Sequence, residues 1–363
     1  MNQYASPRDR VSQPTVPVPQ TPPCLRVEAL SRRFGPVAAV QDVSFQVAPG
    51  QVTCLLGPSG CGKSTTLRMI AGIERPDAGR ICIDGRVMSD DRLCLPPEAR
   101  SIGMVFQDFA LFPHLDIAAN VGFGLKGPGL RQRVLALLDR VGLAGHAAKF
   151  PHELSGGEQQ RVALVRALAP GPCLMLMDEP FSSLDHRLRD GVRDAALELL
   201  HETGTAVVMV THDPEEAMLM GQRIVVMRKG RLIQEGRPQE IYDRPVDRGV
   251  AAFFSDLNLV EGRVAAGRIR TELGDFPAPG LAEGTLAEVA IRPQHLRIDA
   301  GGGPVAMVER ARYLGREMLL DLRLVQTGRA LRARLPADAM VLAGGVVHVG
   351  AAAPHVLVFP QPA

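Results

Sequence analysis

Between residues 25 and 243 the chain alternates short, nearly unbroken apolar runs with longer stretches of helical periodicity. This is the pattern of an α/β layered domain whose strands are covered on both faces. Runs at residues 52–56, 102–106, 173–177, 206–210 and 223–227 predict strands. Between the second and third of these the spacing becomes mostly helical and predicts helices over residues 130–141 and 158–169. The rhythm then changes. Short β-like runs at 260–264, 287–291, 318–324, 346–349 and 356–359, punctuated by Gly and Pro, predict a small all-β barrel or sandwich. The expected organisation is an α/β domain over 25–243, a joint over 244–257 and a β-rich domain over 258–363. Residues 1–24 hold Pro7, Pro14, Pro17, Pro19, Pro22 and Pro23 with no apolar core, so they predict a flexible tail and not a secretory signal.

Composition narrows the partners. A chain of 363 residues with 46% hydrophobic content can build two or three cores. Its formal net charge of +2 gives no strong field, which argues against a binder of nucleic acid driven by electrostatics. No apolar run approaches the ~18 residues that a membrane-spanning helix needs. The six cysteines form no C-x-x-C pair, which predicts reduced thiols in a cytoplasmic setting and no zinc. Basic residues are nearly all arginine, the lysines being Lys63, Lys126, Lys149 and Lys229.

One of those lysines stands in GPSGCGKST, comprising Gly57, Pro58, Ser59, Gly60, Cys61, Gly62, Lys63, Ser64 and Thr65. The stretch matches G-x-x-x-x-G-K-[ST] between a predicted strand and a helical run over 63–71, the setting in which the motif binds phosphates. Backbone N–H groups over 60–64 and the helix dipole hold phosphate oxygens, Lys63 neutralises the β and γ groups, and Ser64 ligates magnesium. Three further apolar runs end in polar groups: Gln107 after the second, Asp178 and Glu179 after the third, His212 after the fourth. In a parallel sheet, ligands sit at the carboxyl ends of strands, so these four are expected near one bound phosphate. Asp178 can hold magnesium through water and Glu179 can polarise an attacking water. A second glycine loop feeding a helix, Ser155, Gly156, Gly157 and Glu158 in HELSGGEQQR, lies far downstream and poses the question of what a single domain does with two.

The phosphate loop, the Gln107 loop, LSGGE, the Asp178-Glu179 strand, SSLD ending at Asp185, and His212 occur in an order that resembles the ATP-binding cassette ATPases, specifically the import type with a C-terminal regulatory domain. The resemblance implies a P-loop NTPase fold with a RecA-like core, a helical subdomain and a small C-terminal β domain of TOBE type, for which IRPQHLRI at 291–298 is the most recognisable piece. It implies that two copies pack head to tail, each ATP held between the phosphate loop of one and the signature loop of the other. In that reading Phe34 stacks on adenine, where the family often has tyrosine. Glu179 is the general base, His212 contacts the γ-phosphate, and Asp185 contacts the second copy. Gln107 links Mg2+, held by Ser64 and Asp178, to a membrane permease, and residues 108–115 help form the groove for that permease. A periplasmic solute-binding protein is an indirect partner, and the expected location is the cytoplasmic face of the inner membrane. The segments around 95–115, 150–170 and 356–360 resemble ferric-iron importers most, and polyamine, sulfate, maltose and phosphonate importers share most of that text.

Two other classes compete. Cassette ATPases that act on nucleic acid usually carry two cassettes in one chain or a long coiled coil, and this sequence has neither. A P-loop kinase or GTPase would lack LSGGE and SSLD.

Overall fold

The computed structural model describes residues 22–184, 186–298, 301–339 and 341–361. The first half contains β1 (Leu25–Phe34), β2 (Val37–Val47), β3 (Val52–Leu56), α1 (Lys63–Ala71), β4 (Ala78–Ile83), β5 (Arg86–Ser89) and β6 (Ile102–Val105). There follow α2 (Ile117–Gly122), α3 (Leu130–Arg140), α4 (Gly156–Leu168), β7 (Leu174–Asp178), α5 (His186–Thr203), β8 (Ala206–Thr211), α6 (Pro214–Met220), β9 (Arg223–Arg228), β10 (Arg231–Gly236), α7 (Pro238–Asp243) and α8 (Arg248–Phe254). The strands form a six-stranded sheet in the order β10-β9-β3-β8-β7-β6 and a separate antiparallel sheet in the order β2-β1-β4-β5.

Why the central strands read as unbroken apolar runs is visible in their two faces. Successive side chains of a strand alternate sides. On β3, β7, β8 and β9 the residues Cys54, Leu56, Met175, Met177, Val207, Met209, Ile224 and Val226 enter one core, shared with α4 and α5. Leu55, Leu174, Leu176, Val208, Val210, Val225 and Met227 enter the other, shared with α1 and the antiparallel sheet. With both faces covered, nearly every position is apolar, Thr53 of β3 being a buried exception. At the far end of α1, Arg100 is fully buried, with no carboxylate partner among the described residues. Its guanidinium donates to the carbonyls of Met69, Ile70 and Leu95 at 2.9 Å, which closes the helix C-terminus whose other end carries the phosphate loop.

The C-terminal half is β11 (Asn258–Ala265), β12 (Arg268–Thr271), β13 (Gly274–Pro277), β14 (Leu286–Ile291), β15 (Leu296–Ile298), β16 (Val305–Tyr313), β17 (Glu317–Leu324), β18 (Ala330–Pro336), β19 (Val346–Ala351) and β20 (Val356–Pro360). They make two five-stranded antiparallel sheets, β13-β12-β11-β14-β20 and β15-β19-β16-β17-β18, around one core. The expected joint over 244–257 holds a helix of its own, α8, whose Ala251 is buried with Ala290 and Phe359 of the β domain. Beside it Arg292 lies 3.7 Å over the Tyr242 ring and donates to the Tyr242 carbonyl at 2.5 Å, while Gln294 donates to the Tyr242 hydroxyl at 2.7 Å. At the other terminus Cys24, expected in the tail, is buried, and its thiol donates to the Cys173 carbonyl at 3.2 Å. All six cysteines are free thiols.

Candidate functional site

Strand register brings the site together. β3 pairs in parallel with β8 at Leu56 and Thr211, β8 with β7 at Val210 and Asp178, and β7 with β6 at Met177 and Val105. The residues that follow these ends, starting with Gly57, His212, Glu179 and Phe106, therefore leave the sheet along one edge. At ~4.8 Å per strand that edge spans about 15 Å.

After β3 the chain must turn tightly against its neighbours. Gly62 caps α1 at φ 103°, and a Cβ there would lie 2.3 Å from the Ala39 carbonyl oxygen. A Cβ on Gly57 would lie 2.2 Å from the Met227 carbonyl oxygen, so a side chain at either position would force the loop open. Gly60 supplies the third positive φ, and Pro58 and Ser59 complete the turn. Lys63 is buried and its ammonium donates to the carbonyls of Gly57 at 2.6 Å and Pro58 at 3.1 Å, with the Cys61 sulfur 3.8 Å away. These carbonyls occupy the acceptor role that phosphate oxygens take when such a loop binds a nucleotide. Burial pushes the Cys61 thiol up, against the pull of Lys63, so it remains protonated at neutral pH. Thr65 is half-buried in the first turn of α1.

Ser64 and Asp178 meet, the hydroxyl donating to a carboxylate oxygen at 2.9 Å. Burial raises the Asp178 carboxyl above the usual range, with the Ser64 hydrogen bond opposing it. A hydroxyl and a carboxylate so close together are hard oxygen donors, the set that suits magnesium. Glu179 has φ 46°, a left-handed conformation unusual for a residue with a side chain. Its N–H donates to the Val210 carbonyl at 3.0 Å, and its carboxylate lies 3.0 Å from Nδ1 of His212. Ser64 with Asp178, and Glu179 with His212, are thus in direct contact.

Gln107 is exposed past the end of β6, beside β7. The next residues, Phe109 and Ala110, both have positive φ, at 63° and 47°. Their carbonyls accept from Arg166 of α4 at 3.2 and 2.7 Å. Nothing in the sequence singles out Arg166 for this, because arginines on an amphipathic helix are common. Beyond the loop Phe112 packs on Phe123 at 4.5 Å, at the edge of a largely apolar groove of about 560 Å³ lined by Ala119, Phe123, Leu130 and Val134. Phe34 ends β1 at 45% exposure with the Arg32 guanidinium 4.8 Å over its ring. Asp185 lies outside the described residues.

The second glycine loop is placed apart. Ser155 caps α4, and its N–H and hydroxyl both donate to one oxygen of Glu158, at 2.8 and 2.7 Å. Those bonds hold the Glu158 carboxyl below the usual range. Ser155 and Gly156 are exposed, while Gly157 packs toward Val192 of α5. Among the described residues no hydrogen bond joins residues 154–158 to residues 57–65.

Comparison with known proteins agrees with this geometry. A family model described as ABC transporter matches residues 40–182, and one described as TOBE domain matches residues 289–359. The Fe(3+) ions import ATP-binding protein FbpC of Pseudomonas fluorescens is 44% identical over 84% of this chain and 88% of its own. The sulfate/thiosulfate import ATP-binding protein CysA of Gloeobacter violaceus is 43% identical over 85% of this chain and 87% of its own. CbiO1 from Clostridium perfringens, part of the ABC transporter complex CbiONQ, superposes with TM-score 0.56 at 31% identity, covering 61% of this chain and 91% of that one. With phosphate loop, strand-end carboxylates and a C-terminal TOBE domain in one chain, this protein belongs to the ABC transporter family and is one of its ATPases.

Proposed function

We propose that this ATPase energises import of ferric iron through a separate membrane permease, working as a head-to-tail pair at the cytoplasmic face of the inner membrane. The observation that carries the reading is the edge where Lys63, Ser64, Asp178, Glu179 and His212 assemble, in a chain similar along most of its length to ferric-iron import ATP-binding proteins. Ser64 and Asp178 would hold magnesium, with Gln107 approaching from the adjacent strand, and the bound ion would neutralise charge on the β and γ phosphates. Lys63 would exchange its loop carbonyls for phosphate oxygens. Glu179 would orient and deprotonate the attacking water, and His212, held through Nδ1, would present its other nitrogen to the γ-phosphate. Phe34 offers an aromatic face for adenine.

Exposed Ser155 and Gly156, spent on no contact with their own phosphate loop, would serve the ATP of the second copy, with Asp185 at the seam between copies. The Phe112–Phe123 groove is a fitting seat for a permease helix, since an apolar concavity beside Gln107 would connect the nucleotide to the membrane subunit. Among the described residues no helix is long and apolar enough to cross a membrane, so a separate subunit would supply the path. A periplasmic solute-binding protein would deliver the cargo to that subunit. Cargo is tested by deleting the gene in its host and measuring uptake of radiolabelled ferric iron and sulfate. Loss of iron uptake alone supports the proposal. Loss of sulfate uptake alone favours the second reading, which the similarity to the sulfate/thiosulfate protein keeps in view.

A further inference from the structure

His212 does not hold its place by its own contact alone. The next residue, Asp213, caps α6 by accepting from the N–H groups of Glu215 at 2.9 Å and Glu216 at 3.3 Å. Its second oxygen faces α5, where Arg189 and Arg193 stand one turn apart. The Arg189 guanidinium lies 3.7 Å from it and that of Arg193 3.8 Å. Arg189 also donates to the carbonyl of Leu184 at 3.1 Å, reaching back to the turn that leads into α5. That turn is itself tied to the backbone at the end of β7, because the Ser182 hydroxyl donates to the Glu179 main-chain carbonyl at 2.9 Å. Behind these groups Arg193 is 8% exposed and lies 3.7 Å from buried Glu216 and 3.3 Å from Asp190.

We infer that Arg189 is a positioning residue: by bridging Leu184 and Asp213 it couples the Ser182–Leu184 turn to the loop that carries His212, with Arg193 and Glu216 as a buried backing. A displacement of the turn would then be felt at His212, and through it at Glu179, without any new contact to nucleotide. The inference rests on the proposed role of His212 at the γ-phosphate.

The test is steady-state ATP hydrolysis by the full chain carrying Arg189→Met, Arg189→Lys, Asp213→Asn, the Arg189→Met/Asp213→Asn pair, or His212→Ala, with thermal melting of each. Asn caps a helix as well as Asp, so Asp213→Asn removes the ion pair while keeping the cap. Arg189→Met should lower kcat roughly 10-fold with KM for ATP changed by less than about 2-fold, because a group is misplaced and nucleotide binding is not. Arg189→Lys, which keeps the charge facing Asp213, should recover most of that loss. The double variant should be no slower than Arg189→Met, since both changes cut one link. Multiplied losses in the double variant, or full kcat in Arg189→Met while His212→Ala is inactive, would overturn the coupling and leave the site intact. Normal hydrolysis by His212→Ala would overturn the reading of the site, and the coupling with it.

Discussion

The Lys63 ammonium sits in the curve of its own loop, bonded to the carbonyls of Gly57 and Pro58, where its charge faces the position of the proposed phosphates. Lys63→Ala should therefore do two things: abolish hydrolysis, and weaken ATP binding by about 2 kcal/mol or more through the lost charge. Titration calorimetry and phosphate release measure both, and near-normal turnover would contradict the assignment. Asp178 shows the opposite economy. Its folded-state pKa lies above the unfolded value, so the native state holds the proton more tightly, and the contribution favours the fold only at acid pH. As pH rises through and above the unfolded value near ~3.9, the ionised carboxylate costs stability. Asp178→Asn should thus raise the melting temperature of the nucleotide-free protein at pH 7 by roughly 2–4 °C while cutting Mg-dependent hydrolysis by about 10²-fold or more. A lower melting temperature would mean that the carboxylate serves the fold as well as the metal.

The start of α4 is the element on which the second glycine loop depends. Glu158 has a folded-state pKa below its unfolded value, so its contribution is fully present above the unfolded value near ~4.3 and is lost as pH falls through the folded one. Glu158→Gln should cost about 0.5 kcal/mol at neutral pH and progressively less as pH falls below ~4.3, as read from urea unfolding. A cost that does not change with pH would show that charge is not what the cap uses. Elements differed in how far the sequence foretold them. Residues 52–56 and 206–210 read as strands because burial on both faces leaves almost only apolar residues, and β3 and β8 lie there. β1 and β2 carry no such signature: Ala29 and Asp42 have positive φ and the pairing slips register at Val27, so alternation in LRVEALSRRF is broken just where it would be read. The strand-end residues Asp178, Glu179 and His212 were legible because each closes an apolar run. Arg100, Arg166 and Arg189 were not, since they act by reaching backbone carbonyls, and an arginine-rich chain gives no cue to which ones do.

At the scale of the whole molecule, the residues proposed to hold nucleotide all precede the β domain, yet Ala251 of α8 is buried against that domain and half-buried Tyr242 is bonded to it. A chain ended after Ser255 should bind ATP within about 3-fold of the full protein while melting at a lower temperature, because Ala251 and the Tyr242 ring lose their cover. Loss of binding by a folded truncation would place part of the site in the β domain. Head-to-tail pairing makes the largest claim, because it gives Ser155 and Gly156 a purpose outside their own chain. Glu179→Gln keeps the shape of the base but removes its charge, so it should bind ATP and slow hydrolysis by roughly 10²-fold or more, letting an ATP-bound pair accumulate. Ser155→Arg added to that variant sets a bulky cation where backbone must approach phosphate. The decisive measurement is the molecular mass of these two proteins by size-exclusion chromatography with light scattering, with and without Mg-ATP. The account predicts that Glu179→Gln shifts from monomer to dimer only with Mg-ATP, and that the double variant stays monomeric while still binding ATP. A dimer that forms without ATP, or a double variant that pairs on adding it, would contradict the claim that the second glycine loop serves the partner's nucleotide.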